Sequence, residues 1–299
     1  MTINMKPVGK LLRWYDRHGR KLPWRRTRNP YFILVSELML QQTQVERVRL
    51  FYKTWIQTFP NWKTLAWASN GSALRAWAGL GYNRRAVMLR DAARHVVKHG
   101  IPKTEEGWRT MRGIGSYTAK AIMAFAFDEL TMPIDTNIRR VGARLWLGKP
   151  FSTASDDARI ERAGMKWIGD SKRARDVPQA LFDLATAYCA KVPDCANCPM
   201  RLVCPSADKF LGGRVRVPRR GTPKPNERIQ AGKRYPDRIY RGRILKHLQS
   251  LSADTVVGIG KAIDPTFMKH DRAWVTAMIA RLQNDGMVRR SGAQVSLEK

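Results

Sequence analysis

The sequence predicts an all-α protein that ends in a small α+β domain. From Pro30 to about Ala190, apolar residues recur at helical spacing, and no convincing run of alternating strands is present. Residues 206–236 are poor in large apolar side chains and rich in Arg, Lys, Gly and Pro, which is typical of a basic linker. After this linker, helical periodicity returns and is followed by two short strand patterns.

The long helical region consists of several short helices with polar connections between them. Two stretches show the spacing best, because their apolar residues recur with the period of a helix that buries one face. These residues are Phe32, Ile33, Val35, Leu38, Met39 and Leu40 in the first stretch, and Val87, Met88, Ala92, Ala93, Val96 and Val97 in the second.

The C-terminal part has the pattern of a small winged helix. Residues 239–251 are predicted to form one helix, and residues 271–284 a second with Trp274 and Met278 on its apolar stripe. Residues 287–297 are predicted to form a strand pair around a turn. Modules of this kind either contact DNA or pack as a structural cap, and the pattern alone favours neither.

The composition indicates a folded chain with a polyanionic partner. The 299 residues are 43% hydrophobic, enough for a sizeable core and about two domains. Lys and Arg total 55 against 24 Asp and Glu, a net charge of +31 that favours nucleic acid, although ribosomal and membrane-surface proteins share it. No apolar run could span a bilayer and residues 1–20 lack a secretion signal, so we expect a cytoplasmic protein.

A glycine turn precedes a helix that is predicted to begin near Ser116. Gly113 and Gly115 stand two positions apart in the run Met-Arg-Gly-Ile-Gly-Ser-Tyr. Glycine lets the backbone approach a neighbour closely, and the N–H groups at a helix N-terminus attract anions, so this turn could clamp a DNA phosphate. The same spacing also occurs in ordinary turns between packed helices.

Two carboxylates occupy unusual sequence positions. Asp135 follows a proline closely and precedes an Arg-rich apolar helix, where an acidic residue is ordinarily a helix cap. Glu37 lies on an otherwise apolar helical face. A carboxylate there must be paired, capped or used, because burial of an unpaired charge is unfavourable, and a salt-bridged helix residue is the simpler alternative.

The four cysteines form one group, Cys189-x5-Cys195-x2-Cys198-x5-Cys204. In an intracellular chain, cysteines this close together favour metal ligation over disulfides. Four thiolates can surround one zinc ion or one iron–sulfur cluster, and the spacing does not exclude zinc.

Over about residues 5–207, these motifs resemble the helix-hairpin-helix (HhH-GPD) superfamily of DNA glycosylases. The run Ser-Glu37-Leu-Met-Leu-Gln-Gln-Thr-Gln-Val resembles the adenine glycosylase branch, the MutY type, as does Trp77-Ala-Gly-Leu-Gly-Tyr82. Those enzymes commonly carry a second aromatic residue where this chain has Asn83. They also carry a MutT-like C-terminal domain where this chain has the winged-helix pattern.

The resemblance implies four catalytic residues. Glu37 would be the general acid that protonates the departing base, and Asp135 would stabilise or transiently capture the sugar cation. Tyr117 and Asn137 match positions that support this pair. Bifunctional members place a Schiff-base lysine where this chain has Tyr117, so the resemblance implies a monofunctional enzyme that leaves an abasic site.

The resemblance also implies a set of DNA contacts. Base extrusion leaves a gap in the stack that Gln42 and Tyr82 would fill, although each could be an ordinary surface or core residue. The remaining expected contacts are Gly113, Gly115, Lys120, Arg139 and Arg140. The three charged residues could equally be solvated surface charges.

By resemblance, the four cysteines would hold a [4Fe-4S] cluster, although the first interval is one residue shorter than the family's usual six. The implied domains are a six-helix barrel with the hairpin at 30–140, a cluster domain from 1–29 and 141–205, the linker at 206–236 and the winged-helix-like domain at 237–299. The expected partner is double-stranded DNA with a mismatch or damaged base, bound by a monomer at the nucleoid.

The expected reaction is removal of adenine opposite 8-oxoguanine or guanine. A relative that removes thymine or uracil opposite guanine carries the same catalytic residue types and stays an alternative. A basic DNA-binding protein without chemistry is a second, but loss of Glu37 or Asp135 would mark it, and both are present. A zinc-stabilised transcription regulator would leave Glu37 and the glycine turn unexplained.

Overall fold

Helices dominate the computed structural model, which describes residues 6–171, 173–217 and 229–299. Part of the predicted linker, residues 218–228, lies outside the described residues. The helices are α1 (Pro7–His18), α2 (Pro30–Leu40), α3 (Val45–Thr58), α4 (Trp62–Trp67), α5 (Asn70–Ala76), α6 (Arg84–His99), α7 (Glu105–Arg109), α8 (Ser116–Phe127), α9 (Thr136–Trp146), α10 (Asp157–Ser171), α11 (Asp176–Ala187), α12 (Ala207–Leu211), α13 (Asp237–Ser250), α14 (Val256–Ile263) and α15 (Arg272–Asn284). The strands are β1 (Asp254–Thr255), β2 (Val288–Ser291) and β3 (Gln294–Leu297).

Helix α2 shows how the sequence starts an element. The Asn29 side chain accepts a hydrogen bond from the backbone N–H of Tyr31 at 2.9 Å, and Pro30 supplies a first residue whose missing N–H is not needed. The helix is buried on nearly every side, with Leu34 and Met39 fully inaccessible. Its apolar residues therefore belong to a core, as their run in the sequence predicts.

The chain folds into two compact units, each assembled from separate stretches of the sequence. The first comprises Met1–Glu37, Pro102–Thr110 and Ile114–Arg220. Its core is formed chiefly by α1, α9, α10 and α11, with inward side chains such as Leu11, Val141, Ile160 and Leu181, all at most 1% exposed. Cys189, Cys198 and Cys204 pack against this same core.

The second unit comprises Leu38–Ile101, Met111–Gly113 and Gly221–Lys299. Helix α6 packs on α4 and α5 and buries one face, on which Leu89, Ala93 and Val96 lie. The middle of the chain and its C-terminal part therefore belong to a single unit. The predicted domain boundaries remain predictions.

The C-terminal part is a winged helix. Along the chain the order is α13, β1, α14, α15, β2 and β3, and the strands form an antiparallel sheet in the order β1-β3-β2. Tyr240, Ile259, Trp274 and Val295 fill its core. The predicted helical chain with a small α+β domain is therefore confirmed.

The C-terminal part is joined to the helices of its unit by side-chain and backbone hydrogen bonds. Asn70 Nδ2 donates to the Gly286 carbonyl at 2.7 Å, and Gln249 Nε2 donates to the Leu74 carbonyl at 3.0 Å. Within the described ranges, no helix is long and apolar enough to cross a membrane.

Candidate active site

Glu37 is a buried carboxyl group with one unused oxygen. It lies near the end of α2, is only 5% exposed, and its Oε2 atom is buried without a hydrogen-bond partner. Burial raises its pKa from 4.5 to about 7; a hydrogen bond from Tyr117 and the charge of Arg25 oppose this rise, and the charge of Asp135 adds to it. Glu37 can therefore hold a proton near neutral pH and present it at Oε2.

Asp135 is fixed by the start of α9. Its Oδ1 accepts hydrogen bonds from the backbone N–H groups of Asn137 at 2.8 Å and Ile138 at 2.7 Å, as a helix cap does. Its Oδ2 accepts a third hydrogen bond, from Asn137 Nδ2, at 2.7 Å. Burial nevertheless raises the pKa of Asp135, because these three donors do not fully offset desolvation. Asp135 is therefore both the cap of α9 and a carboxyl group close enough to Glu37 to raise its pKa.

Tyr117 and Asn137 support the two carboxyl groups. Tyr117, in the first turn of α8, donates its hydroxyl hydrogen bond to Glu37, and burial together with the two neighbouring carboxylates raises its pKa well above 10. Asn137 is held from its other side by Arg140, whose Nη2 donates to Asn137 Oδ1 at 3.0 Å. The structure thus brings together all four predicted catalytic residues within one unit.

The cysteine loop follows α11 and is bound by arginines of α9. Arg144 donates to the carbonyl of Ala190 at 2.6 Å and lies 3.4 Å from Cys189 Sγ, while Arg140 donates to the Cys189 carbonyl at 2.6 Å. Burial and the charges of neighbouring cysteines raise the pKa of Cys195, Cys198 and Cys204, that of Cys198 to about 11. The four sulfur atoms are therefore close enough to affect one another, although across residues 6–171, 173–217 and 229–299 no three His, Cys, Asp or Glu side chains are gathered as for one metal ion.

Gly113 and Gly115 of the hairpin differ in what they do. Gly113 has φ of 87°, and an added Cβ would lie 2.4 Å from the sulfur of Met88, so both conformation and space require glycine. Gly115 has an ordinary φ of −89°, and its Cβ would meet nothing within 4 Å. No side chain caps α8 at Gly115, which leaves the first N–H groups of the helix open to an anion.

The predicted basic DNA contacts are already paired within the protein. Lys120 forms a salt bridge with Glu161, and Arg139 forms a bidentate one with Asp157 at 2.5 and 2.6 Å. Arg140 bonds Asn137 and the cysteine loop. All three cations are therefore held in place, and carboxylates partly neutralise the charges of Lys120 and Arg139.

Gln42 and Tyr82 share an uncommon backbone conformation. Both are non-glycine residues in the left-handed region, with φ of 54° and 48°, and the Tyr82 side chain is 55% exposed. The buried Arg85 holds both segments, since its guanidinium donates to the carbonyls of Leu38 at 2.8 Å and Gly81 at 3.0 Å and lies over the Tyr82 ring.

The sequence analysis did not predict a role for Arg85. A signal was available, because position 85 shares the buried stripe of α6 with Leu89, Ala92 and Val96. An arginine in such a stripe must find partners, as Glu37 must. Arg25 and Arg144, which act on Glu37 and the cysteine loop, were also missed, because Arg25 pairs with Asp183 and Arg144 bonds Ala190, both far away in sequence.

The chain is similar to known DNA repair proteins. Residues 35–169 match the model of the HhH-GPD superfamily base excision DNA repair proteins. The adenine DNA glycosylase of Mycolicibacterium smegmatis is 37% identical over 203 residues, which cover 66% of this chain and 68% of that protein. The chain belongs to the HhH-GPD superfamily. The family match ends before the winged helix begins.

Two further adenine DNA glycosylases are similar to this chain. The adenine DNA glycosylase of Mycobacterium tuberculosis is 38% identical over 195 residues, and the human one 37% over 210 residues, which cover 66% of this chain and 38% of that protein. The chain spans 64% of the length of the M. tuberculosis relative, and the match covers 64% of this chain.

Two solved structures have the same fold. A thermostable thymine-DNA glycosylase matches with a TM-score of 0.61 at 25% identity, over 68% of this chain and 95% of that one. A trapped endonuclease III–DNA intermediate matches with a TM-score of 0.58 at 18% identity, over 68% and 95% of the two chains. The second likeness concerns the fold alone.

Proposed function

We propose that this protein is a monofunctional DNA glycosylase of base excision repair that hydrolyses the bond between a flipped, mispaired adenine and its sugar. The observation that carries the proposal is the pairing of Glu37, whose buried Oε2 is unused, with an Asp135 carboxylate held by three N–H donors. Breaking an N-glycosidic bond requires a proton for the departing base and a negative charge near the developing sugar cation. Glu37 can supply the proton, and Asp135 can supply the negative charge.

The steps follow from the positions of these groups. Protonated Glu37 donates from Oε2 to a ring nitrogen of the purine, and the electron pair of the glycosidic bond leaves with the base. Asp135 stabilises the positive charge that develops on the sugar, and a water molecule adds to the anomeric carbon and loses a proton. The products are free adenine and an abasic site, and Glu37, now charged, must regain a proton.

The absence of lyase chemistry is proposed from two residues. Tyr117 occupies the first turn of α8, where bifunctional relatives would need an amine, and its hydroxyl is engaged with Glu37. Lys120 is the nearby amine, and its Nζ is engaged in a salt bridge with Glu161.

The DNA contacts are proposed on the same basis. Gln42 and Tyr82 would fill the gap that base flipping leaves, the N–H groups around Gly113 and Gly115 would bind a phosphate, and Lys120, Arg139 and Arg140 would add positive charge beside it. We also propose that the protein works as a monomer, and that it works at the cytoplasmic nucleoid, where its DNA substrate lies.

The cysteine loop is proposed to hold a [4Fe-4S] cluster through Cys189, Cys195, Cys198 and Cys204. The donor set fits, because four partly buried thiols lie on one loop and arginine side chains of α9 lie against it, which would offset the negative charge of thiolates. When bound, the cluster would cross-link the loop at its four cysteines. Metal and sulfide analysis of purified protein tests this, and a colourless protein with one zinc ion would contradict it.

The choice of adenine rests on the adenine DNA glycosylases among the relatives, of which several are 35–38% identical to this chain. A thymine or uracil glycosylase that acts opposite guanine is the second candidate, because a thymine-DNA glycosylase shares the fold at 25% identity. A basic DNA-binding protein without chemistry is disfavoured by the intact Glu37 and Asp135 pair.

A panel of duplexes decides among these functions. Excess protein is incubated with DNA that carries A opposite 8-oxoguanine, A opposite G, T opposite G or U opposite G, and alkali then reveals abasic sites. We expect strand breaks only after alkali, only in the adenine-containing duplexes, and none with Asp135→Asn. Breaks in the thymine or uracil strands would favour the second candidate, and no breaks in any duplex would favour the binding protein.

A further inference from the structure

A serine beside the cysteine loop has a buried hydroxyl group that no hydrogen bond in the described part of the chain explains. Ser206 comes soon after Cys204 and is 1% exposed, and its Oγ is buried without a hydrogen-bond partner among the described residues. A buried donor without an acceptor is unfavourable, and a bound ion or cofactor is one of the explanations for such a group. The Ser206 hydroxyl shares this feature with Oε2 of Glu37.

The ordinary role of a serine at this position is also missing. A serine just before a helix usually caps it, because its side-chain oxygen accepts a hydrogen bond from a backbone N–H of the first turn. Ser206 directly precedes α12, but its side chain makes no cap hydrogen bond. The explanation for the hydroxyl therefore has to come from the groups that surround this residue.

Ser206 lies against the sulfur atom of Cys204. The backbone N–H groups of Ser206 and Ala207 both donate hydrogen bonds to this sulfur, which also lies 3.5 Å from the Arg144 carbonyl oxygen. The Ser206 side chain does not extend into solvent, since the whole residue is 1% exposed. Its hydroxyl is therefore enclosed in the protein next to the fourth cysteine.

Hydrogen-bond donors also lie at two other sulfur atoms of the cysteine loop. Arg144 Nη1 lies 3.4 Å from Cys189 Sγ, and the backbone N–H of Met200 donates to Cys198. Metal binding removes the proton of a cysteine thiol and leaves a negatively charged acceptor, which such donors stabilise. The Ser206 hydroxyl adds an uncharged side-chain donor to this arrangement.

We propose that the Ser206 hydroxyl donates a hydrogen bond to a sulfur atom of the metal centre that the cysteine loop holds. This inference rests on the proposed metal site of the four cysteines and not on the proposed reaction. In a [4Fe-4S] cluster, one-electron reduction adds negative charge that the sulfur atoms share, so a hydrogen-bond donor at a sulfur favours the reduced form. The Ser206 hydroxyl therefore raises the reduction potential of the cluster.

A redox titration of the cluster-loaded protein tests this hydrogen bond. Dithionite is the reductant, and the electron paramagnetic resonance signal measures the reduced fraction at each potential. At the potential that reduces half of the wild-type clusters, we expect the ratio of reduced to oxidised cluster in Ser206→Ala to be about tenfold lower, which for one electron is a potential about 59 mV lower. Ser206→Thr keeps the hydroxyl, and we expect its ratio to stay within about twofold of the wild-type ratio. An unchanged potential in Ser206→Ala, or equal shifts in both variants, would overturn the proposal.

Ser36→Ala is the matched control. Ser36 is also 1% exposed, but its hydroxyl has an acceptor in the protein, the Ile33 carbonyl at 2.8 Å. The variant therefore removes an equally buried hydroxyl that is already satisfied within α2. We expect its cluster to keep the wild-type potential, and a shift as large as that of Ser206→Ala would mean that loss of any buried hydroxyl has this effect, which would overturn the proposal.

Metal analysis separates failure of this inference from failure of the proposed cluster. Iron and sulfide contents are measured for the wild type and for each variant before the titration. If the protein holds zinc in place of a cluster, the proposed cofactor fails, and competition with a chelator then tests the hydrogen bond at the zinc-bound thiolates. In that case we expect Ser206→Ala to bind zinc about tenfold more weakly than the wild type, as loss of a hydrogen bond to a metal ligand does. Equal zinc affinities overturn the proposal, as does a protein that holds neither iron nor zinc.

Discussion

At the scale of the residue, the burial of Glu37 sets the pH dependence of the proposed reaction. The pKa is raised to about 7, and the proton donor is the uncharged form, so activity requires protonation. We expect the rate of base removal to be constant well below pH 7 and to fall about tenfold per pH unit above it. Single-turnover rates across this range check the expectation, with duplex binding measured alongside as a control. A rate that rises through pH 7 would contradict the role of general acid.

The same burial makes Glu37 a source of pH-dependent stability. Its pKa is higher in the folded state than the ordinary 4.5, so its contribution to stability is fully present below about pH 4.5 and is lost as the pH rises through about 7. The loss amounts to roughly 3 kcal/mol. We therefore expect Glu37→Gln, which cannot ionise, to unfold at higher urea concentration than the wild type at about pH 8.5, with a much smaller difference at about pH 5. An equal difference at both pH values would speak against a buried, titrating Glu37.

We expect Arg85 to contribute more to the free energy of unfolding than the adjacent Arg84 does. Its guanidinium bonds the backbone at Leu38, Met39 and Gly81, and a lysine offers fewer donors without the planar geometry. We expect Arg85→Lys to lower the free energy of unfolding by about 3 kcal/mol. Arg84→Lys is the control, because Arg84 is half-exposed and pairs only loosely with Asp285 at 3.3 Å. Urea titrations of both variants make the comparison, and similar losses would contradict the structural role of Arg85.

At the scale of the element, periodicity predicted the helical class of the chain and several of its helices. The apolar spacing of α2 and α6 and the strand pair at 288–297 appear in the structure. Helix α14 and strand β1 were not predicted, because a run of eight residues with two glycines and a two-residue strand carry little pattern of their own. Glu37 and Asp135 could be predicted from the sequence because each is an exception to a local pattern. The contacts of Arg85 and the left-handed conformations of Gln42 and Tyr82 could not be predicted, because they depend on contacts between segments about 40 residues apart.

The hairpin shows how two glycines in one motif can have different physical roles. Gly113→Ala forces a Cβ onto a left-handed residue and into Met88, and we expect it to lower the free energy of unfolding by about 1–2 kcal/mol. In Gly115→Ala the added Cβ meets open space and the φ is ordinary. We therefore expect the free energy of unfolding of this variant to stay within about 0.5 kcal/mol of the wild-type value. Thermal or urea unfolding of the two variants measures the difference. Equal losses would mean that the turn geometry does not distinguish the two positions.

At the scale of the whole molecule, a chain of hydrogen bonds connects the cysteine loop to the candidate active site. The Cys189 carbonyl accepts from Arg140 at 2.6 Å, Arg140 donates to Asn137 at 3.0 Å, and Asn137 donates to Asp135 at 2.7 Å. All four residues belong to one unit, although they lie up to 54 positions apart in the sequence (189 less 135). We therefore predict that the loop influences the proposed reaction through the orientation of Asn137.

Arg139 and Arg140 are adjacent and carry the same charge, but only Arg140 belongs to this chain of hydrogen bonds. Arg140→Met frees the Asn137 amide to rotate away from Asp135, so we expect the rate of base removal at saturating protein to fall about tenfold, the effect of losing one hydrogen bond to a charged group. Arg139→Met breaks only the pair with Asp157, so it should weaken duplex binding while that rate changes little. Single-turnover titrations give both quantities, and metal analysis of each variant verifies that the cysteine loop is intact. If both variants lower only the affinity, α9 contributes charge alone, and Asp135 keeps its position through the helix cap without help from the loop.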